Sequence, residues 1–83
     1  MKEFIAKKSQ EATTNYLETR TKFDTAIKNA IEESAEIGLN RACIQFQGTW
    51  RDVAVLSRYL EDLGCTNIQG LSNYSWKSVD FDF

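Results

Sequence analysis

Trp50 and Arg51 stand where a helix would begin, and Arg58 follows two turns later. An indole and a guanidinium beside free helix N–H groups can hold a phosphate or a nucleotide base. Trp50, Arg51 and Arg58 are therefore one candidate set, for a nucleotide ligand. Asp52 counts against an anion at this helix end, because a carboxylate already suits the positive pole of the dipole. The competing reading makes Trp50 a cap on the edge of the core and Arg51 a solvated first-turn residue.

A second set lies near the C-terminus: Tyr74, Trp76, Lys77, Asp80 and Asp82. Exposed Trp and Tyr beside charges are typical of the few residues that dominate protein–protein affinity. Ser78, Asp80 and Asp82 alternate with Val79, Phe81 and Phe83, so the polar series marks a face that is not core. If that face is open, Trp76 stands on it with Cys43, Gln45 and Gln47. The rival reading packs Trp76 across a hairpin.

Catalytic chemistry is poorly provided for. The chain has no histidine and two cysteines, Cys43 and Cys65. That removes the commonest general base, and two thiols are too few for a zinc site or a disulfide scaffold. Both cysteines read as reduced thiols, with a disulfide as the minority reading and nothing to activate either as a nucleophile. Glu32, Glu33 and Glu36, with Asp80 and Asp82, could face a basic partner, but such runs are ordinarily solvated faces. The expectation is no enzyme activity, no metal and no cofactor.

Ten basic against twelve acidic residues give a net charge of −2. A free-standing nucleic-acid binder needs a basic surplus to neutralise phosphates. Nucleic-acid association is left as a weaker alternative, as an accessory of a larger assembly. No stretch approaches the ~20 apolar residues of a membrane span, and the start lacks the apolar run of a signal peptide. A cytoplasmic protein is expected.

The elements that must position these residues form one domain of 83 residues. Residues 2–37 lack Gly and Pro and read as helix. Tyr16, Phe23, Ala26, Ile27, Ala30 and Ile31 share one face by steps of three, four and seven. Thr13-Thr14-Asn15 is a weak point, so residues 1–14 either continue the helix or form a frayed or separate segment, with Phe4 and Ile5 docking as an apolar anchor. Gly38 terminates the helix. Leu17, Thr21 and Ala35 form a second side through which two copies could pair as a homodimer, since small domains gain stability by oligomerising.

Ala42, Ile44 and Phe46 alternate as a strand ending at Gly48. Thr49 caps a helix with Asp52 three residues on. Val53, Leu56, Leu60 and Leu63 make its inward stripe, and Gly64 stops it with Cys65 packing back on Leu60. Thr66–Gly70 reads as a second strand, Ser72-Asn73-Tyr74 as a turn, and Lys77–Phe83 as a third strand antiparallel to the second. The fold class is α+β and two-layered: a long N-terminal helix, then strand, helix, strand, strand, with helices on one face of a three-stranded sheet. The first two strands are either neighbours, parallel and joined by a right-handed crossover, or separated by the third, antiparallel to both. The cleaner alternation of the third strand leans towards the second arrangement.

Ile37-Gly38, Ala42-Cys43-Ile44, Leu60 to Leu63-Gly64, and Trp76 with Val79 and Phe81 together resemble small proteins of tailed bacteriophages with this layout. The resemblance covers the chain from about Phe23 on. It implies a small viral protein in the bacterial cytoplasm that binds and inhibits or modulates a host protein, including defence proteins. A sponge for defence-signal nucleotides is the alternative it implies. It carries no site residues.

Overall fold

The computed structural model describes residues 1–73 and 75–83. Helix α1 (Lys2–Thr19) passes through a 3-10 turn (Arg20–Phe23) into α2 (Asp24–Glu36). Strand β1 (Arg41–Phe46), helix α3 (Trp50–Asp62), β2 (Thr66–Ser72) and β3 (Lys77–Asp82) follow. The chain is α+β, with a long N-terminal helical stretch preceding a strand, a helix and two strands.

The expected weak point at residues 13–15 does not break the helix. The hydroxyl of Thr13 donates to the Ser9 carbonyl at 3.0 Å and that of Thr19 to the Asn15 carbonyl at 2.7 Å. Bonding back four residues lets a threonine stay helical. The irregularity falls instead at Arg20–Phe23. A 3-10 turn advances ~120° per residue against ~100° in an α-helix, so four such residues rotate the inward face by roughly 80°. Phe23 at the end of the turn and Ile27 beyond it are buried in the core, while α1 buries Tyr16 alone. Phe4 and Ile5 do not dock as an anchor: they are 60% and 59% exposed. With the helix unbroken there, nothing turns them back towards the body. The radius of gyration, 14.5 Å, and the long dimension of 51 Å record this arm. A compact chain of this length would have a radius of about 12 Å.

Both helices before and after β1 end in a Schellman turn. Leu39 N–H reaches the Ser34 carbonyl at 2.9 Å, and Cys65 N–H reaches that of Leu60 at 2.9 Å. The residues that make these turns, Gly38 and Gly64, sit at φ of +82° and +90°, where a Cβ would clash with its own backbone. At the start of α3, Thr49 N–H donates to Asp52 Oδ2 at 2.9 Å.

The sheet order is β1-β3-β2, antiparallel throughout. The central strand carries Val79 and Phe81, both fully buried, under Leu56 and Leu60 of α3. Ala42 pairs with Phe81 and Ile44 with Val79 on the same face, beneath α2. Gly70 of β2 lies where an added Cβ would meet Val53 Cγ1 at 2.7 Å, so its lack of a side chain allows α3 to close on the sheet. Leu63, expected on the inward stripe, is exposed instead. It is the C-cap residue of α3, past the last turn that overlies the strands. A shift in register between Thr66 and Gln69, with Asn67 at φ 50°, interrupts the β2–β3 ladder.

Candidate functional site

Three surfaces carry side chains able to bind something. The first is the sheet face away from the helices. Register brings Arg41 opposite Asp82, Cys43 opposite Asp80, and Gln45 opposite Ser78. On the other side of β3, Gln69 faces Asp80 and Leu71 faces Ser78. Asp82 is held by Asn67 Nδ2 at 2.6 Å and by Arg41 at 2.8 Å, and those two donors keep its carboxyl below the usual carboxylate range. Its charge is therefore largely satisfied within the protein. Asp80 lies beside Cys43, whose thiol is pushed up to about 11 by desolvation first and by that carboxylate second. Such a thiol is protonated at neutral pH and is no nucleophile. Burial raises Cys65 as well, and both cysteines are free.

The C-terminal set is partly assembled on this face. Asp80 and Asp82 lie there, half-buried. Trp76, 38% exposed, stands where β3 begins, with exposed Leu71 on the neighbouring strand. Lys77 does not project as a free cation: its amine donates to the Asn73 carbonyl at 2.8 Å and closes the hairpin. Tyr74 lies outside the described residues.

The second surface is the α3 stripe of the nucleotide set. Trp50, Ala54 and Arg58 recur every four residues, so they share one face. Trp50 is 63% exposed and Arg51 is exposed too, so Trp50 does not cap the core edge. The helix start beside them is already occupied. Asp52 takes the Thr49 N–H and also Lys22 Nζ at 2.6 Å. Those two contacts, Lys22 first, hold its carboxyl below the ordinary range. Trp50 and Arg51 thus adjoin a helix end that already holds a carboxylate, while Arg58 lies two turns away.

The third surface was not legible as a site. Where α1 crosses α3, the Tyr16 hydroxyl donates to Asp62 Oδ2 at 2.5 Å. The Arg20 guanidinium lies 5.3 Å from the Tyr16 ring centre, 4.9 Å from that of Tyr59, and 3.6 Å from Asp62. Arg58 stacks on Tyr16 at 3.9 Å. The Tyr59 hydroxyl donates to Asp24 at 2.5 Å. Burial first, then Asp62, raises the Tyr16 phenol; Asp24 does the same for Tyr59. Arg20 Nε is buried without a partner among the described residues.

Beside this cluster opens a groove of about 300 Å³. Ala12, Asn15, Tyr16 and Thr19 form its α1 wall, and Ala54, Val55 and Arg58 its α3 wall. Among the described residues no carboxylate pairs with Arg58. The available signal was two pairs spaced one turn apart: Tyr16 and Arg20, an aromatic and a cation, and Arg58 and Asp62, opposite charges. Each reads as ordinary until the helices are known to cross.

Among the described residues no group of three or more His, Cys, Asp or Glu side chains could hold a metal, and no helix is long and apolar enough to cross a membrane. The fold and these surfaces define the chain as a two-layer α+β protein with a projecting helical arm. No family model, curated protein or solved structure matches it.

Proposed function

We propose that this chain is a non-enzymatic binding protein of bacteriophage type, acting in the bacterial cytoplasm to inhibit or modulate a host protein, with defence proteins as one target class. The observation that carries the reading is the sheet face that no helix covers, on which Ser78 is buried and the residues around it reach solvent. It combines an exposed edge of Trp76 and Leu71 with the polar strip of Cys43, Gln45, Gln69 and Asp80. An apolar anchor bordered by hydrogen-bonding groups is the usual anatomy of a protein interface. The protonated Cys43 thiol accords with recognition, not covalent chemistry. Asp80, which is not spent on an internal salt bridge among the described residues, is the acidic contact; Asp82 positions Arg41 beside it.

The test is affinity capture from bacterial lysate with the wild type and with Trp76→Ala combined with Asp80→Lys. A specific partner retained by the wild type and lost by the variant, with an unchanged circular dichroism spectrum, is the expected result. Equal recovery of that partner by both proteins would overturn the surface.

A second reading, a nucleotide-signal sponge, draws on Arg58. Its guanidinium is stacked on Tyr16 and has no carboxylate partner among the described residues, so its N–H edge is available to a phosphate. A thermal-shift screen with cyclic di- and trinucleotides and ADP-ribose derivatives tests it: a bound ligand raises Tm by mass action. No shift at saturating ligand rejects it.

A further inference from the structure

The tip of the arm carries apolar side chains without cover. Counting 100° per residue, Met1, Ile5, Lys8, Ala12 and Thr19 fall along one stripe, with Phe4 and Tyr16 at its margins. The body end of this stripe is the α1 wall of the groove. Its far end carries Met1, Phe4 and Ile5, all exposed. A helix that buries only Tyr16 has little tertiary support, and isolated helices of this length are marginal in water. The same stripe therefore ends in a hollow at one end and in unburied apolar side chains at the other.

We infer that two copies pair through their arms, antiparallel, each inserting Phe4 and Ile5 into the groove between α1 and α3 of the other. A two-fold axis near residue 10 sets Ile5 of one chain opposite Asn15 of its partner, Phe4 opposite the partner's Tyr16, and Met1 opposite the partner's Thr19. Every contact is then made twice, as a two-fold interface requires. The groove's 300 Å³ lies at the small end of the roughly 300–1,000 Å³ of ligand sites, a fit for two apolar side chains.

Charge selects this orientation. Lys8 and Glu11 are bridged within one arm at 2.8 Å, and Lys8 Nζ lies 5.9 Å from the Phe4 ring centre. In the antiparallel pair Lys8 of each chain comes within reach of Glu11 of the other, and both charges find two partners. A parallel pair would set Lys8 against Lys8 and leave both grooves empty. The pairing face is not that of Leu17, Thr21 and Ala35, which lies about 100° round the helix from Tyr16.

The inference is independent of the sheet-face reading: sedimentation reports on the arm and partner capture on the sheet. Sedimentation velocity of the full chain over a concentration series should show a reversible dimer. Phe4→Asp with Ile5→Asp should raise its Kd at least tenfold. Both positions are exposed, so the variant's helix content should match the wild type. Mixing the Lys8→Glu chain with the Glu11→Lys chain should give mainly heterodimer by native mass spectrometry, because the strain inside each arm is unchanged by mixing. A wild type that stays monomeric up to about 1 mM, the weak end of specific association, would overturn the inference. So would a dimer indifferent to Phe4→Asp with Ile5→Asp, or a statistical mixture of the two charge variants. A monomer whose groove binds a nucleotide would overturn it in favour of the sponge.

Discussion

Strand β3 and the arm of α1 are opposites. In β3, Val79 and Phe81 are fully enclosed, with neighbours on three sides: β1, β2 and α3. In α1, one residue of the helix is buried and the tip side chains stand in solvent. The strand is held by what it packs against; the arm is held by its own backbone and by one polar crossing at Tyr16, Arg20 and Asp62. The lesson is that stability and binding capacity have separated here. The body stabilises itself through one face of the sheet, and the surface left unburied lies on the other face of that sheet and on the arm.

The contrast can be tested from its strong side first. Phe81→Ala should cost about 3–5 kcal/mol in urea unfolding, since it leaves a cavity in the central strand. A loss that large would leave little folded protein in so small a domain. Gly70→Ala should cost about 1–3 kcal/mol, because the new methyl meets Val53 and α3 must shift. A neutral result there would show that α3 sits less firmly on the sheet than β3 does.

Tyr16→Phe should cost on the order of 1 kcal/mol, and its signature is spatial. Hydrogen exchange should quicken over residues 2–19 while β3 amides stay protected. Equal quickening of both would merge the two regions into one cooperative unit.

Asp52→Asn should cost about 1 kcal/mol through the loss of its hold on Thr49 and Lys22. Because the folded state lowers the pKa of Asp52, its contribution is present above the unfolded carboxylate range and is lost as pH falls through the folded value. Asp82 has the same sign. The urea midpoint should thus decline below about pH 4, and less steeply in Asp52→Asn. Smallest of all, Phe4→Ala at a concentration that keeps the chain monomeric should change unfolding by less than about 0.5 kcal/mol.

The parts readable from residue order were those with local causes. The alternation of Val79, Phe81 and their polar neighbours, the Thr49–Asp52 cap and the Gly38 and Gly64 stops all appear where expected. The pattern of β3 leaned towards the centre but left a parallel β1–β2 pair open, and the tertiary structure decided for the centre. Two expectations failed because they depended on distance in space. Phe4 and Ile5 found no core to join, and Leu63 overran the sheet.

Residue order alone determined which segments are helix and which are strand, where α2 and α3 end, and which face of the last strand is apolar. Each depends on interactions within a few residues, and period and capping encode those directly. The tertiary structure alone decided that α1 projects from the body N-terminal to Tyr16, that Arg20 lies between two tyrosine rings, and that a groove opens beside them. Those features join residues some forty positions apart. They depend on the rotation added by one 3-10 turn and on the crossing of two helices, and no local pattern in the chain records either.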